Sequence, residues 1–381
     1  MIAFRDYDLL PTLQAALVEK GFVIPTEIQE RVLPVLLAGR SVVGVAETGS
    51  GKTLSYALPM LHMLKGLELE GQRVTVDRQP RAAVIVPTRE LGEQVSKVFK
   101  SLTHTTRLRV RTVLGGTTME IAKRNVAGQF EVLVATPGRL AQLLDRGLVL
   151  LLDVRILVFD EADQMLDQGF LPVAERIVAD CPAQRQMGLF SATVSPQVQK
   201  LMTRLFSGAE VIRTKGSHHV VPSLTTENRE VPDGRRFPLL ERLLVNRVEG
   251  GTLIFVNTRA QCDQLAEELE TNGHPCAVYR GEMDKVERRK NLKAFRNGET
   301  ALLVSTDLAS RGLDLEHVGR VINYHLPQQM ENYIHRVGRT ARAGRAGLVI
   351  NFVTQRDHLL VDRLGSVSPR QPRDGCDRGA R

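Results

Sequence analysis

The segment from Ala46 to Thr53, which reads Ala-Glu-Thr-Gly-Ser-Gly-Lys-Thr, restricts the possible folds of this chain more than any other feature. An apolar run at 42–45 precedes the segment, and the residues from Leu54 onward have the pattern of a helix. A strand, a glycine-rich loop that ends in Lys-Thr and a helix favour a phosphate-binding loop over a simple glycine-rich turn. Backbone N–H groups and the helix N-terminus would surround the phosphates, Lys52 would contact the β- and γ-phosphates, and Thr53 would ligate Mg²⁺. The residues expected to bind the nucleotide here are Thr48, Gly49, Ser50, Gly51, Lys52 and Thr53.

An acidic segment, Asp160-Glu161-Ala162-Asp163, follows the apolar run 156–159. Next to a phosphate loop, Asp160 would hold Mg²⁺, usually through water, and Glu161 would orient and deprotonate the attacking water. Carboxylates in the first turn of a helix are also simple helix caps, which is the alternative explanation. The hydroxyls of Ser191 and Thr193, at the end of another apolar segment, could link the acidic segment to a neighbouring element.

Several other predicted strands in the first half end in turns that carry hydroxyl, backbone N–H or arginine donors. These turns occupy 87–91, 115–117 and 136–139. In open parallel sheets, ligands bind at the edge formed by the carboxyl ends of the strands, so we expect these turns to bind a ligand. Further upstream, Gln29 has a donor pair and an acceptor and can read the edge of an adenine, although a helix start explains this segment equally well.

The second half of the chain repeats the strand and helix alternation, but it contains no second phosphate loop. We therefore expect this half not to bind a nucleotide by itself. The segment 335–342, which reads His-Arg-Val-Gly-Arg-Thr-Ala-Arg, spaces three arginines so that they share one face if the segment is helical: Arg336, Arg339 and Arg342. Such a row suits phosphates, and an arginine finger stabilises charge on a γ-phosphoryl group; a solvated basic face is the alternative.

The strand and helix alternation weakens between 208 and 238, where polar residues and a Pro-Asp-Gly turn occur. The 381-residue chain is long enough for two domains with full cores. We therefore expect an α/β fold with a first domain at 1–215, a linker at 216–222 and a second domain at 223–362. The remainder, 363–381, is rich in Ser, Pro, Gly and Arg and is expected to be a short disordered basic tail.

Charge and cysteine content limit the class of partner and the compartment. The net charge of +8 indicates a polyanionic partner, while the 4% aromatic content argues against base stacking as the main mode of binding. The four cysteines form no Cys-x-x-Cys pair, which argues against a zinc site or a disulfide framework. No apolar run has the length of a membrane span, and no export signal is apparent, so we expect a cytoplasmic protein without a membrane partner.

In their order along the chain, these motifs resemble those of the DEAD-box RNA helicases of helicase superfamily 2, whose tetrad appears here as Asp160-Glu161-Ala162-Asp163. The resemblance implies two tandem RecA-like domains, each a mainly parallel sheet flanked by helices, with the phosphate loop in the first. It also implies ATP and Mg²⁺ as cofactors, with Phe4 and Gln29 in the adenine-reading segment, Asp314 at the ribose, and Arg339 and Arg342 nearest the triphosphate.

The same resemblance assigns residues to RNA and to the coupling of hydrolysis with unwinding. The implied contacts to the RNA backbone are Pro87, Thr88, Arg89, Gly115, Gly116, Thr136, Pro137, Gly138 and Arg139 in the first domain and Arg280, Gly281, Thr306 and Asp307 in the second. The implied coupling residues are Asp163, Ser191, Thr193, His335 and Arg336. Three residues depart from the family pattern: Ala341 replaces glycine, Lys285 replaces glutamine and Arg280 replaces histidine. These changes could alter the rate of ATP hydrolysis or the binding of RNA.

The resemblance predicts an ATPase stimulated by RNA that separates short duplexes locally, without processive movement or sequence preference. Closure of the two domains would complete the catalytic site, and RNA would favour the closed state. We expect a monomer that relies on protein partners for targeting. Two alternatives share these motifs and stay open: an ATP-dependent RNA clamp with little unwinding, and a DNA-directed translocase.

Overall fold

The structure, a computed structural model, describes residues 2–47, 49–214, 224–246, 248–307, 318–340, 347–358 and 361. The described residues divide into two compact units, one that ends at 214 and one that begins at 224. The predicted linker, 216–222, and the predicted basic tail, 363–381, lie outside the described residues. In the described ranges, no helix combines the length and the apolar character that crossing a membrane requires.

The first unit is built on a parallel sheet. Its described strands are β1 (Val42–Val45), β2 (Ala82–Ile85), β3 (Val110–Val113), β4 (Val132–Ala135), β5 (Ile156–Phe159), β6 (Gln186–Ser191) and β7 (Glu210–Arg213). Within the described part of the chain, they lie in the order β3-β4-β2-β5-β6-β1-β7. The described helices are α1 (Pro11–Glu19), α2 (Glu27–Leu37), α3 (Lys52–Leu69), α4 (Arg89–Thr106), α5 (Met119–Asn125), α6 (Pro137–Leu144), α7 (Ala162–Asp167), α8 (Leu171–Asp180) and α9 (Pro196–Leu205).

The central strands of this sheet are short apolar runs in which every residue is buried. Successive side chains belong to two different cores, so that Val84 packs with α1 to α4 and Ile85 packs with α5 to α9. A strand covered on both faces needs apolar residues at every position, which is why these strands read as continuous apolar runs. The expected α/β class is therefore confirmed.

The second unit contains another parallel sheet. Its described strands are β8 (Leu224–Glu230), β9 (Thr252–Val256), β10 (Ala277–Tyr279), β11 (Leu302–Thr306), β12 (Arg320–Asn323) and β13 (Gly347–Val353). Their order is β10-β11-β9-β12-β13-β8 over the residues that the structure describes. The described helices are α10 (Phe237–Leu244), α11 (Arg259–Thr271), α12 (Lys285–Arg296) and α13 (Met330–Val337).

The strand order of the first sheet determines which loops are neighbours at its carboxyl edge. Strand β6 lies between β5 and β1, and Ser191 at the end of β6 is in register with Val45 at the end of β1. The loops that follow β1, β5 and β6 are therefore adjacent. The loops that follow β2, β4 and β3 continue along the same edge on the other side of β5.

Candidate active site

The phosphate loop leaves the carboxyl end of β1 and enters α3 at Lys52. Gly49 and Gly51 have φ angles of 86° and 91°, in the left-handed region that glycine adopts at little cost. A Cβ atom at Gly51 would also lie 2.4 Å from the Nε2 atom of Gln29. The positive φ therefore favours glycine at position 51, and a side chain there would also displace the Gln29 amide. Thr48, which we expected to bind the nucleotide, lies outside the described residues.

Lys52 brings the positive charge of this loop into the site. Its side chain is 6% exposed, and its Nζ atom donates hydrogen bonds to the carbonyl oxygens of Ala46 at 2.7 Å and Glu47 at 3.0 Å. Burial raises the pKa of Asp160, and the attraction of this ammonium for the carboxylate offsets part of that rise. The sequence thus places a buried cation between the loop and the acidic segment, where phosphates would require one.

Gln29 connects α2 to the phosphate loop. Its Oε1 atom accepts the N–H of Thr26 at 2.9 Å, and its Nε2 atom donates to the carbonyl oxygen of Gly51 at 3.0 Å. Gln29 therefore caps the start of α2, and it also lies against the phosphate loop, next to the expected nucleotide. Phe4 is 2% exposed and belongs to the hydrophobic core, and its contact with an adenine stays a prediction.

Asp160 and Glu161 follow the end of β5, and both are buried. The two oxygens of Asp160 are held separately: Oδ1 accepts the N–H of Glu161 at 2.9 Å, and Oδ2 accepts the hydroxyl of Tyr56 at 2.7 Å. Burial raises the pKa of Asp160 to about 6, against the lowering effect of Lys52. Glu161 has a φ of 48°, a left-handed conformation that is uncommon for a residue other than glycine and is concentrated at functional sites.

The residues present fit a magnesium ion. Asp160 offers a buried carboxylate, which gains from a neighbouring cation, and Thr53 offers a hydroxyl at the first turn of α3. Over the described residues, no three His, Cys, Asp or Glu side chains form a cluster able to hold a metal by themselves. One carboxylate and one hydroxyl suit Mg²⁺, which usually takes one or two protein oxygens and completes its shell with water and phosphates.

Asp163, Ser191 and Thr193 form a buried cluster that joins α7 to the turn after β6. The Asp163 carboxylate accepts the N–H of Thr193 at 3.0 Å and its hydroxyl at 2.9 Å. The Ser191 hydroxyl accepts the N–H of Asp163 at 3.3 Å and donates to the carbonyl of Thr193 at 2.8 Å. The link expected between the acidic segment and a neighbouring element is thus made through Asp163, the last acid of the segment.

The turns predicted to contact RNA in the first unit follow β2, β3 and β4, which are adjacent strands. The Thr136 hydroxyl accepts the N–H of Gly115 at 2.9 Å, and Arg139 donates to the carbonyl of Thr117, so the last two turns are tied together. The turn after β2 leads into α4, which Thr88 caps. The structure therefore brings these predicted residues to one row: Pro87, Thr88, Arg89, Gly115, Gly116, Thr136, Pro137, Gly138 and Arg139.

In the second unit, the predicted RNA residues lie at the ends of two neighbouring strands. Arg280 and Gly281 follow β10, and the Arg280 guanidinium donates to Asp263 at 2.6 Å. Thr306 ends β11 and is buried. Asp307 follows β11, and its carboxylate is bound by Arg336 of the same unit, while its contact with RNA stays a prediction.

Within the described part of the segment 335–342, Arg336 and Arg339 do not share a face of one helix. Helix α13 ends at Val337, so the spacing of three stops being a helical repeat before Arg339. Arg336 is 1% exposed and turns into its own unit, where it binds Asp307. Arg339 is also buried, and its Nε atom donates to the carbonyl of His335 at 3.0 Å. Three residues of interest lie outside the described part of the chain: Asp314, Ala341 and Arg342.

Two features of these sites were not predicted from the sequence. Tyr56 contributes the hydroxyl that holds Asp160, and a row of asparagines holds Arg336. The signal for Tyr56 was present, because it follows Lys52 by four residues at the start of a helix and so shares its face. The two asparagines are far apart in sequence, since Asn257 follows β9 and Asn323 ends β12, and no local pattern connects them.

Two family models match the chain: "DEAD/DEAH box helicase" over residues 26–201 and "Helicase conserved C-terminal domain" over residues 235–344. The DEAD-box ATP-dependent RNA helicase CshA of Geobacillus kaustophilus is 34% identical over 372 residues, which are 97% of this chain and 78% of that protein. The ATP-dependent RNA helicase DeaD of Mycobacterium tuberculosis is 35% identical over 359 residues, which are 94% of this chain and 62% of that protein.

Among solved structures, S. cerevisiae Dbp5 bound to RNA and ADP BeF3 matches with a TM-score of 0.83 and 29% identity, over 96% of this chain and 92% of that chain. The DEAD-box helicase Mss116 bound to ssRNA and UDP-BeF matches with a TM-score of 0.82, over 97% of this chain and 80% of that chain. Its sequence is 23% identical, so this match bears on the fold alone. The tandem RecA-like architecture is therefore confirmed. With its two family models and its identity to CshA, the chain belongs to the family of DEAD-box ATP-dependent RNA helicases.

Proposed function

We propose that this protein hydrolyses ATP when RNA binds and uses the reaction to separate short RNA duplexes locally, without processive movement or sequence preference. One observation carries the proposal. Along the carboxyl edge of the first sheet, the loops after β1, β5 and β6 bear the candidate nucleotide residues, and the loops after β2, β4 and β3 bear the candidate RNA residues. The candidate residues for the nucleotide and for RNA therefore lie next to each other along one edge of the sheet.

The proposed hydrolysis rests on four groups of the first unit. The phosphate loop and Lys52 bind the triphosphate, and Thr53 and Asp160 hold Mg²⁺, which when bound neutralises charge on the phosphates. Glu161 takes a proton from the water that attacks the γ-phosphorus, and ADP leaves. The burial of Lys52, Asp160 and Glu161 supports these roles, because charged groups act more strongly where water is excluded.

The second unit is proposed to supply arginines to the reaction. Arg339 and Arg342 stabilise negative charge on the γ-phosphoryl group, in the manner of an arginine finger. Arg336 is not assigned this role, because its guanidinium is bound to Asp307 and to the side-chain amides of Asn257 and Asn323.

RNA is proposed to bind through its backbone. Threonine hydroxyls, glycine N–H groups and Arg139 are donors suited to phosphate oxygens, and such contacts carry no base information. The aromatic content of 4% does not favour base stacking. Binding should consequently weaken as salt rises, because each phosphate contact releases counterions.

We further propose a cytoplasmic monomer that protein partners direct to its RNA. The cysteines support a reducing compartment, since the described ones, Cys181, Cys262 and Cys276, are all free thiols.

A strand-displacement assay on a short RNA duplex with ATP and Mg²⁺ tests the proposal. We expect ATP-dependent displacement, together with ATPase activity that RNA stimulates and DNA of the same sequence does not. Tight ATP-dependent RNA binding without displacement would instead identify an RNA clamp. Equal stimulation by DNA would contradict the assignment to RNA.

A further inference from the structure

Tyr56 lies in the second turn of α3, four residues after Lys52. Its ring is fully buried between two other aromatic rings, with centroid distances of 5.1 Å to Phe190 and 6.3 Å to Phe99. A phenylalanine would fill the same space with the same ring. The hydroxyl is therefore not needed for packing, and a buried hydroxyl is costly unless it is hydrogen-bonded.

The hydroxyl of Tyr56 contacts Asp160, one of the two residues proposed to hold Mg²⁺. It donates to the Oδ2 atom of Asp160 at 2.7 Å. The other carboxylate oxygen, Oδ1, accepts the N–H of Glu161 at 2.9 Å. Both oxygens of Asp160 are thus held from the protein side, and each keeps a second lone pair for a metal-bound water.

We infer that Tyr56 is a positioning residue for Mg²⁺: its hydroxyl fixes the rotation of the Asp160 carboxylate. A group that holds a metal ligand orients it before the metal binds, so less ordering remains to be done on binding. The inference rests on the proposed use of Mg²⁺ with ATP and assigns a further residue to that site.

The alternative is that the hydroxyl satisfies a buried carboxylate and serves only the stability of the fold. The two roles differ in what they change. A purely structural hydroxyl alters the affinity for nucleotide equally with and without Mg²⁺, or alters neither. A positioning hydroxyl alters the dependence of nucleotide binding on Mg²⁺ and leaves binding in the absence of metal unchanged.

The test is equilibrium binding of a fluorescent ADP analogue to the full chain, titrated with Mg²⁺ and repeated in EDTA. For Tyr56→Phe we expect the Mg²⁺ concentration for half-maximal enhancement of binding to rise about 10-fold, since outer partners of metal ligands typically contribute this much. The affinity in EDTA should match wild type. A Mg²⁺ dependence equal to wild type would overturn the inference, and so would an equal loss of affinity in EDTA.

Tyr333→Phe is the matched control. Tyr333 is a buried phenol of the second unit, and its oxygen accepts a hydrogen bond from the Nδ2 atom of Asn351 at 3.1 Å. It should leave both titrations unchanged. In an Asp160→Asn background, Tyr56→Phe should have no further effect on the Mg²⁺ dependence, whereas an undiminished effect would show that the hydroxyl acts elsewhere. If wild-type binding did not respond to Mg²⁺ at all, the metal part of the proposed function would fail, which is a different outcome from a failure of this inference.

Discussion

The carboxylate of Asp163 accepts two hydrogen bonds from Thr193, one from its N–H at 3.0 Å and one from its hydroxyl at 2.9 Å. Asp163 lies in the first turn of α7, just after the proposed catalytic Glu161, and Thr193 lies just after β6. The contact therefore connects the site of hydrolysis to the next loop along the sheet edge. Such a contact can transmit a change at the nucleotide to another element only if it is itself made and broken.

Thr193→Val should reduce strand displacement more than ATP hydrolysis. Valine keeps the shape of threonine and removes the hydroxyl that Asp163 accepts, a charged hydrogen bond that is worth about 1.5–3 kcal/mol. We expect the number of ATP molecules hydrolysed per duplex separated to rise about 10-fold or more, which corresponds to the lower end of that energy. Thr203→Val, an exposed change on α9, is the control. Equal losses of ATPase and displacement would contradict a coupling role.

Glu161→Gln should keep ATP and RNA bound while ATP turnover falls at least about 100-fold, the usual contribution of a general base. Glutamine has the size of glutamate but cannot take a proton from water at neutral pH. Turnover is measured by phosphate release and binding by equilibrium titration with fluorescent RNA and ATP. Glu120→Gln, an exposed change on α5, is the control and should behave as wild type. Lys52→Ala, which removes the cation of the phosphate loop, should lose ATP turnover. A Glu161→Gln protein with near wild-type turnover would remove this residue from the base role.

The arrangement of the first unit could be predicted because its signals are local. The phosphate loop and Asp160 each follow a short apolar strand, and parallel strands bring their carboxyl ends to one edge. The order of the strands within the sheet depends on contacts between distant segments. The sequence therefore did not indicate that the turns predicted to contact RNA lie on one side of β5 and the nucleotide residues on the other.

The arginines of the second unit show why the rest could not be predicted. A spacing of three implies a common face only inside a helix, and α13 ends at Val337, before Arg339. The partners of Arg336 come from distant strands: Asn257 follows β9 and Asn323 ends β12. Contacts between residues far apart in sequence depend on the packing of the whole unit, and no periodic pattern records them.

Arg336→Ala should destabilise the second unit by about 1–3 kcal/mol, the usual cost of leaving buried hydrogen-bonding groups without a partner. Arg336 is 1% exposed and binds Asp307, and Asn323 continues the network by donating to Asn351 at 2.8 Å. Hydrogen exchange measured by mass spectrometry should show faster exchange in β12 and α13 and little change in the first unit. Arg242→Ala, an exposed change on α10, should leave exchange unaltered. Unchanged protection of β12 in Arg336→Ala would contradict a structural role.

His325 should make the second unit less stable as the pH falls from 6.5 towards 4. Burial, with the positive charges of Arg236 and Arg336, lowers the pKa of His325 to about 4, and Asp357 only partly opposes them. Between its ordinary pKa of about 6.5 and this value, the unfolded chain binds a proton that the folded chain does not, so acid favours unfolding. Because His325 is partly exposed, water screens part of the effect, and we expect a loss of about 1–2 kcal/mol.

Denaturant unfolding of wild type and His325→Asn at pH 7.5, 6.0 and 5.0 measures this contribution. Asparagine cannot take up a proton in this range, so the stability difference between the two proteins should shift in favour of the variant as the pH falls. His358→Gln, which replaces an exposed histidine of the same unit, should follow the wild-type pH dependence. A difference between wild type and His325→Asn that stays constant with pH would mean that His325 takes up a proton as readily in the folded chain as in the unfolded one.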